Sequence, residues 1–126
     1  MRSERGEALI DGLLMLGVVM LVVAVAIQAL AYAHARSVAQ AAAQDGARAA
    51  ATQGAAAGVA RARTVLGAAG GIGAGLRPAA QAGATSVTVR VTGHAPQVFG
   101  VSLFLPSVRV SASLPLERYP ADERAP

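Results

Sequence analysis

Between Gly12 and Ala33 the chain runs 22 residues without a charge, and Gln28 is the one strongly polar side chain among them. Coiled at ~1.5 Å per residue, this run extends roughly 33 Å, against about 30 Å for the hydrocarbon core of a bilayer. No water is available there to satisfy backbone groups, so the run predicts a transmembrane helix over 12–33. Past Ala33 the pattern becomes helical with different chemistry. Arg36, Gln40, Gln44, Arg48 and Thr52 recur every four residues along one slowly drifting stripe. The remaining surface carries Ala35, Val38, Ala39, Ala42, Ala43, Gly46, Ala49 and Ala50. Alanine is the best helix former, so residues 34–52 hold a helix with little tertiary help. Gly54 and Gly58 weaken it by about 1 kcal/mol each relative to Ala, and a further piece from Ala55 to Leu66, continuous or kinked, completes an Ala-rich helical region over 34–66.

Gly67, Gly70, Gly71, Gly73 and Gly75 then arrive close together with Pro78 behind them, and 67–84 reads as a Gly-rich loop or hinge. From Thr85 the period changes to two. Val87, Val89 and Val91 alternate with Ser86, Thr88, Arg90 and Thr92, and Val108, Val110, Ala112 and Leu114 alternate with Arg109, Ser111 and Ser113. These are two half-buried strands, giving a β-hairpin region over 85–119. Its connection is unusually apolar, with Val98, Phe99, Val101, Leu103, Phe104 and Leu105. The charged, Pro-containing tail, 120–126, is expected to be disordered. The fold class is therefore an α+β membrane protein, with one long N-terminal helix, transmembrane and then Ala-rich and extracellular, followed by a small C-terminal β-hairpin.

Composition sharpens this picture. Hydrophobic residues make up 54%, but 31 of the 126 residues are Ala. Of the larger apolar side chains, 16 fall between Leu9 and Tyr32, and only 20 serve the chain from His34 onward. An ordinary soluble enzyme with a thick core is excluded. A lone hairpin is marginal, so this one must lean on the helix, on a partner or on the bilayer. The flat Ala face is suited to close helix approach, as small-residue surfaces are in membranes. Ala35, Ala39, Ala42, Ala43, Gly46 and Ala50 are thus either a packing face in a helical assembly or the side of a helix lying on its own domain.

The formal charge of +4 comes from 11 Arg and no Lys against 7 acids. Only Arg61 and Arg63 sit close together in the body of the chain, and neither has an aromatic neighbour, so nucleic acid is not an expected partner. There is no Cys, which excludes disulfides and thiolate zinc sites. The Gly run fits neither a dinucleotide nor a P-loop fingerprint. His34 and His94 lack acidic or His companions at ligand spacing, and the serines lack a nucleophile-elbow context. No catalytic site, cofactor, metal or small-molecule substrate is expected.

Two readings of the apolar run differ in outcome. Ala31-Tyr32-Ala33 and Ala33-His34-Ala35 fit the A-x-A pattern of signal peptidase, which would release a Sec-secreted small β-containing protein or adhesin after Ala33 or Ala35. Against this, the run exceeds the ~7–15 residues of a signal h-region, and its flank mixes Arg2 and Arg5 with Glu4, Glu7 and Asp11. An uncleaved single-pass anchor is the favoured reading. Basic residues on the two sides nearly balance, and the short head over 1–11 favours a cytoplasmic N-terminus with the remainder outside the cell membrane.

The head, Arg5-Gly6-Glu7-Ala8-Leu9-Ile10-Asp11, abuts the apolar helix directly. Asp11 is either a tolerated interfacial carboxylate near a helix N-terminus or a partner for the cationic N-terminus of a neighbouring subunit. A cut after Gly6 would leave a new amine on Glu7, four residues before Asp11, an arrangement that resembles a type IV prepilin site. With Ala39-Gln40-Ala41-Ala42-Ala43-Gln44-Asp45-Gly46-Ala47-Arg48-Ala49-Ala50 after the helix, the strand from Val87 to Gly93 followed by Ala95-Pro96, and Val108 to Glu117-Arg118-Tyr119, the chain resembles the TadE-like family over most of 5–119. That family comprises minor pilins or pseudopilins of the tight-adherence (Flp-type) pilus apparatus. The resemblance implies a membrane protein without enzymatic activity, processing at Gly6 and Glu7 by a prepilin peptidase, and lateral packing with other pilins or pilus assembly proteins. In this sequence Asp11 is followed by Gly12, where the family pattern has Glu followed by an aromatic residue.

Overall fold

The computed structural model describes residues 2–98 and 106–116, with side chains from Glu4 onward. The expectations for the apolar connection over 99–105 and for the tail beyond Leu116 lie outside the described residues. Helix α1 (Arg2–Gln53) is 52 residues long, about 78 Å at 1.5 Å per residue, and runs without a break from the head through the apolar run into the Ala-rich segment.

The Ala-rich region is not one continuous helix. Gly54 has φ +99° and ψ 165°, a backbone region that only glycine enters at low cost, and the chain reverses there into α2 (Ala55–Ala68). Helix α2 folds back along α1. A β-carbon added at Gly58 would lie 2.7 Å from the Gly46 carbonyl oxygen and 2.5 Å from the Ala50 β-carbon. The two helices therefore touch backbone to backbone, which only glycine and alanine at the crossing allow.

The expected loop over 67–84 is also more structured than its glycines suggest. It holds the short helix α3 (Gly71–Ala74) and the strand β1 (Leu76–Ala82), which pairs antiparallel with β2 (Ser86–His94), while β2 pairs antiparallel with β3 (Ser107–Pro115). The hairpin expected over 85–119 is thus two strands of a three-stranded sheet of order β1-β2-β3. Pro78 faces Val91 in the register and is tolerated because β1 is an edge strand.

Two layers result. The sheet turns Leu76, Val87, Val89, Val91 and Val108 inward, with β1 over α2 and with β2 and β3 over α1. Opposite them stand Ala35, Ala39, Ala42, Ala43, Ala47 and Ala50 of α1 and Ala62 and Leu66 of α2, all buried. The largest fully buried side chains are the four valines, so the core is thin and its helices sit close to the sheet. Val89 meets Gly46, and the chain leaving β2 reaches Gln28, so β2 descends beside α1 toward the apolar run.

Candidate functional site

Two surfaces stand out once the core is assigned. The first is the lower part of α1. Every large apolar side chain from Leu9 to Val25 is exposed, with Leu13 at 68% and Val25 at 61%. Among the described residues, the tertiary hydrogen bonds of α1 to the rest of the fold are made by Gln28. Its amide nitrogen donates to the Pro96 carbonyl oxygen and its amide oxygen accepts from the Val98 N–H, each at 3.4 Å. The single strongly polar side chain of the apolar run is therefore where the folded head begins. By length and composition α1 is able to cross a membrane.

Residues 4–11 lie on the first turns of α1. Gly6 has open space around its α-carbon, and Glu7 and Asp11 are both exposed. Their spacing of four puts the two carboxylates one above the other on a single helix face.

The six small residues expected to form a packing face are brought together, but the molecule covers them itself. Ala35, Ala39, Ala42, Ala43, Gly46 and Ala50 are buried under α2 and the sheet. Of the two readings of that face, the helix lying on its own domain is the one realised.

The second surface is the outer face of the sheet, where alternation turns Arg77, Arg90, Thr92 and Arg109 away from the core. Sequence reading takes these arginines as scattered. Register aligns them: Arg77 faces Thr92 and Thr92 faces Arg109, a single row across three strands. The phase of Arg90 and Arg109 within their alternating runs was a usable signal, but Arg77 had none without β1. Toward the other end of this face, Thr88 Oγ1 and Ser113 Oγ hydrogen bond at 2.9 Å. Among the described residues the ion pairs are Asp45 with Arg48 at 3.8 Å and with Arg61 at 3.6 Å, and no three His, Asp or Glu side chains converge.

No family model matches this chain, and neither the curated proteins nor the solved structures contain a match to it.

Proposed function

We propose that this protein is a single-pass membrane protein with a cytoplasmic N-terminus and an extracellular α+β head, acting without enzymatic activity as a TadE-like minor pilin or pseudopilin in a tight-adherence pilus apparatus. The observation that carries the reading is the bare apolar segment of α1 ending where the head begins, at Gln28. Exposed side chains of that size over five helical turns have no stable home in water. The family-level assignment rests on the order of head, apolar helix, Ala-rich helix and late strands in the sequence.

The contact at Gln28 also supports a membrane register for α1. Irregular backbone facing lipid is not tolerated in hydrocarbon, so the hydrocarbon boundary on the head side falls near Ile27 rather than at Ala33. Residues 12–27 alone cover about 24 Å, short of the ~30 Å required. Leu9 and Ile10 complete the span and draw Asp11 a few ångströms below the opposite surface, where a cationic neighbour would stabilise it. Processing after Gly6 would supply such a group on Glu7 of an adjacent copy or of another pilin.

The test is the N-terminus and membrane partition of the chain isolated from its cells. A membrane-bound chain starting at Met1 or Glu7 is expected, and in the same cells Asp11→Ala should insert normally but assemble poorly. A chain in the medium starting at His34 or Arg36 overturns the reading in favour of a secreted protein. Such a cut would sever α1 inside the folded head, beside the buried Ala35.

A further inference from the structure

From His34 to Leu116 the chain holds seven arginines and one carboxylate, Asp45, which already lies between Arg48 and Arg61. The sheet contains no acid at all. Its outer face gathers the cations at one end. Arg77, Thr92, His94, Ser107 and Arg109 line an open cleft of about 340 Å³, with Arg77 and Arg109 on the two flanking strands. Strands spaced about 4.8 Å apart put their backbones roughly 10 Å from each other, with Thr92 of the central strand between them and Ser107 two residues before Arg109 on β3. Two guanidinium groups, with two hydroxyls able to donate beside them and no carboxylate in the lining, complement a phosphate. On the other side of Arg77 a second opening, of about 560 Å³, is lined by Arg63.

The position of the cleft selects the source of the phosphate. His94 ends β2, and two residues later the Pro96 carbonyl is held by Gln28 of α1. The cleft is therefore at the end of the sheet nearest the bare apolar segment, and Val98, four residues beyond His94 and bonded to Gln28, is 45% exposed. We propose that this cleft binds the phosphate headgroup of an anionic lipid whose acyl chains enter the leaflet below the outer face of the sheet, so that the head is seated on the bilayer in one orientation. The proposal rests on the membrane-anchored reading of α1 and adds to it a lipid preference and the residues responsible, Arg77 and Arg109.

The full chain is reconstituted in vesicles of phosphatidylcholine alone or phosphatidylcholine with phosphatidylglycerol, and arginine modification by phenylglyoxal is followed residue by residue with mass spectrometry. Arg77 and Arg109 should react about fivefold more slowly in the anionic bilayer, the factor expected for one arginine held at such a surface. Arg48, 21 residues beyond Ile27 and so about 30 Å up the helix, lies well outside the screening length and should react alike in both. The double variant R77Q/R109Q alters only exposed side chains and should co-purify with less anionic lipid while keeping its circular dichroism. Equal reactivity of Arg77 and Arg109 in the two bilayers, with the chain inserted, overturns the lipid site and leaves the anchor intact. Millimolar inorganic phosphate protecting both residues equally well in phosphatidylcholine overturns the lipid as ligand. A chain that does not resist carbonate extraction overturns the anchor and the site together.

Discussion

Gly58 shows how one position can reverse the usual effect of a substitution. In an exposed helix Gly→Ala stabilises by up to about 1 kcal/mol, because alanine leaves the unfolded chain fewer conformations to lose. At Gly58 the added methyl would meet the Gly46 carbonyl oxygen at 2.7 Å and the Ala50 β-carbon at 2.5 Å, so the helices must separate. Gly58→Ala is expected to destabilise the head by about 1–3 kcal/mol, the range for overpacking a filled core. Gly67, in the same helix, has nothing within 4 Å of an added β-carbon, and Gly67→Ala should gain about 0.4–1 kcal/mol. Thermal unfolding in detergent compares the pair, and equal signs would mean α1 and α2 do not cross at Gly58. The glycine is visible in the sequence as a weak helix residue. Its reason, a neighbour twelve residues earlier on the antiparallel partner, is not.

The elements differ in how much of them the pattern reveals. Strands β2 and β3 announce themselves because each alternates β-branched apolar residues with polar ones, and one face is buried. Strand β1 does not: Leu76-Arg77-Pro78-Ala79-Ala80-Gln81-Ala82 has one large apolar residue and a proline, and it is a strand because β2 offers it an edge. Helix α2 was legible as a helix but not as a reversal. The reversal depends on Gly54 at φ +99°, ψ 165°, and Gly54→Ala should cost about 1–3 kcal/mol by forcing a side chain into that region. Differential scanning fluorimetry of the two chains measures it. An unchanged midpoint would argue for a helix that continues through residue 54.

For the molecule as a whole, the proposed membrane anchoring turns on where along α1 the bilayer would stop. The uncharged run ends at Ala33, whereas the head begins at Gln28, and Leu30 lies between them with 71% of its surface exposed. The chain has no cysteine, so single-cysteine variants report accessibility without background. In native membranes Leu30→Cys should react with a membrane-impermeant maleimide added on the head side, while Val22→Cys should remain silent. A silent Leu30→Cys would return the hydrocarbon boundary to Ala33 and require the Pro96–Val98 backbone to sit in lipid. The same register accounts for the division of labour along α1: below Gln28 it presents bulky side chains to its surroundings, and above it presents methyl groups to its own sheet.

The sequence by itself determined the long N-terminal helix, the uncharged run within it, the two alternating strands and the scarcity of core-forming residues beyond His34. Each of these is a local matter of period, charge and side-chain volume, written in consecutive residues. Only the tertiary structure decided that the small-residue face belongs to the molecule's own interior, that a glycine-rich segment supplies a third strand, and that Arg77 and Arg109 share a row. Those outcomes depend on which surfaces meet across separations of twelve to seventy residues, and small flat faces such as Ala39–Ala50 accept a sheet or a helix equally well until the rest of the chain is in place.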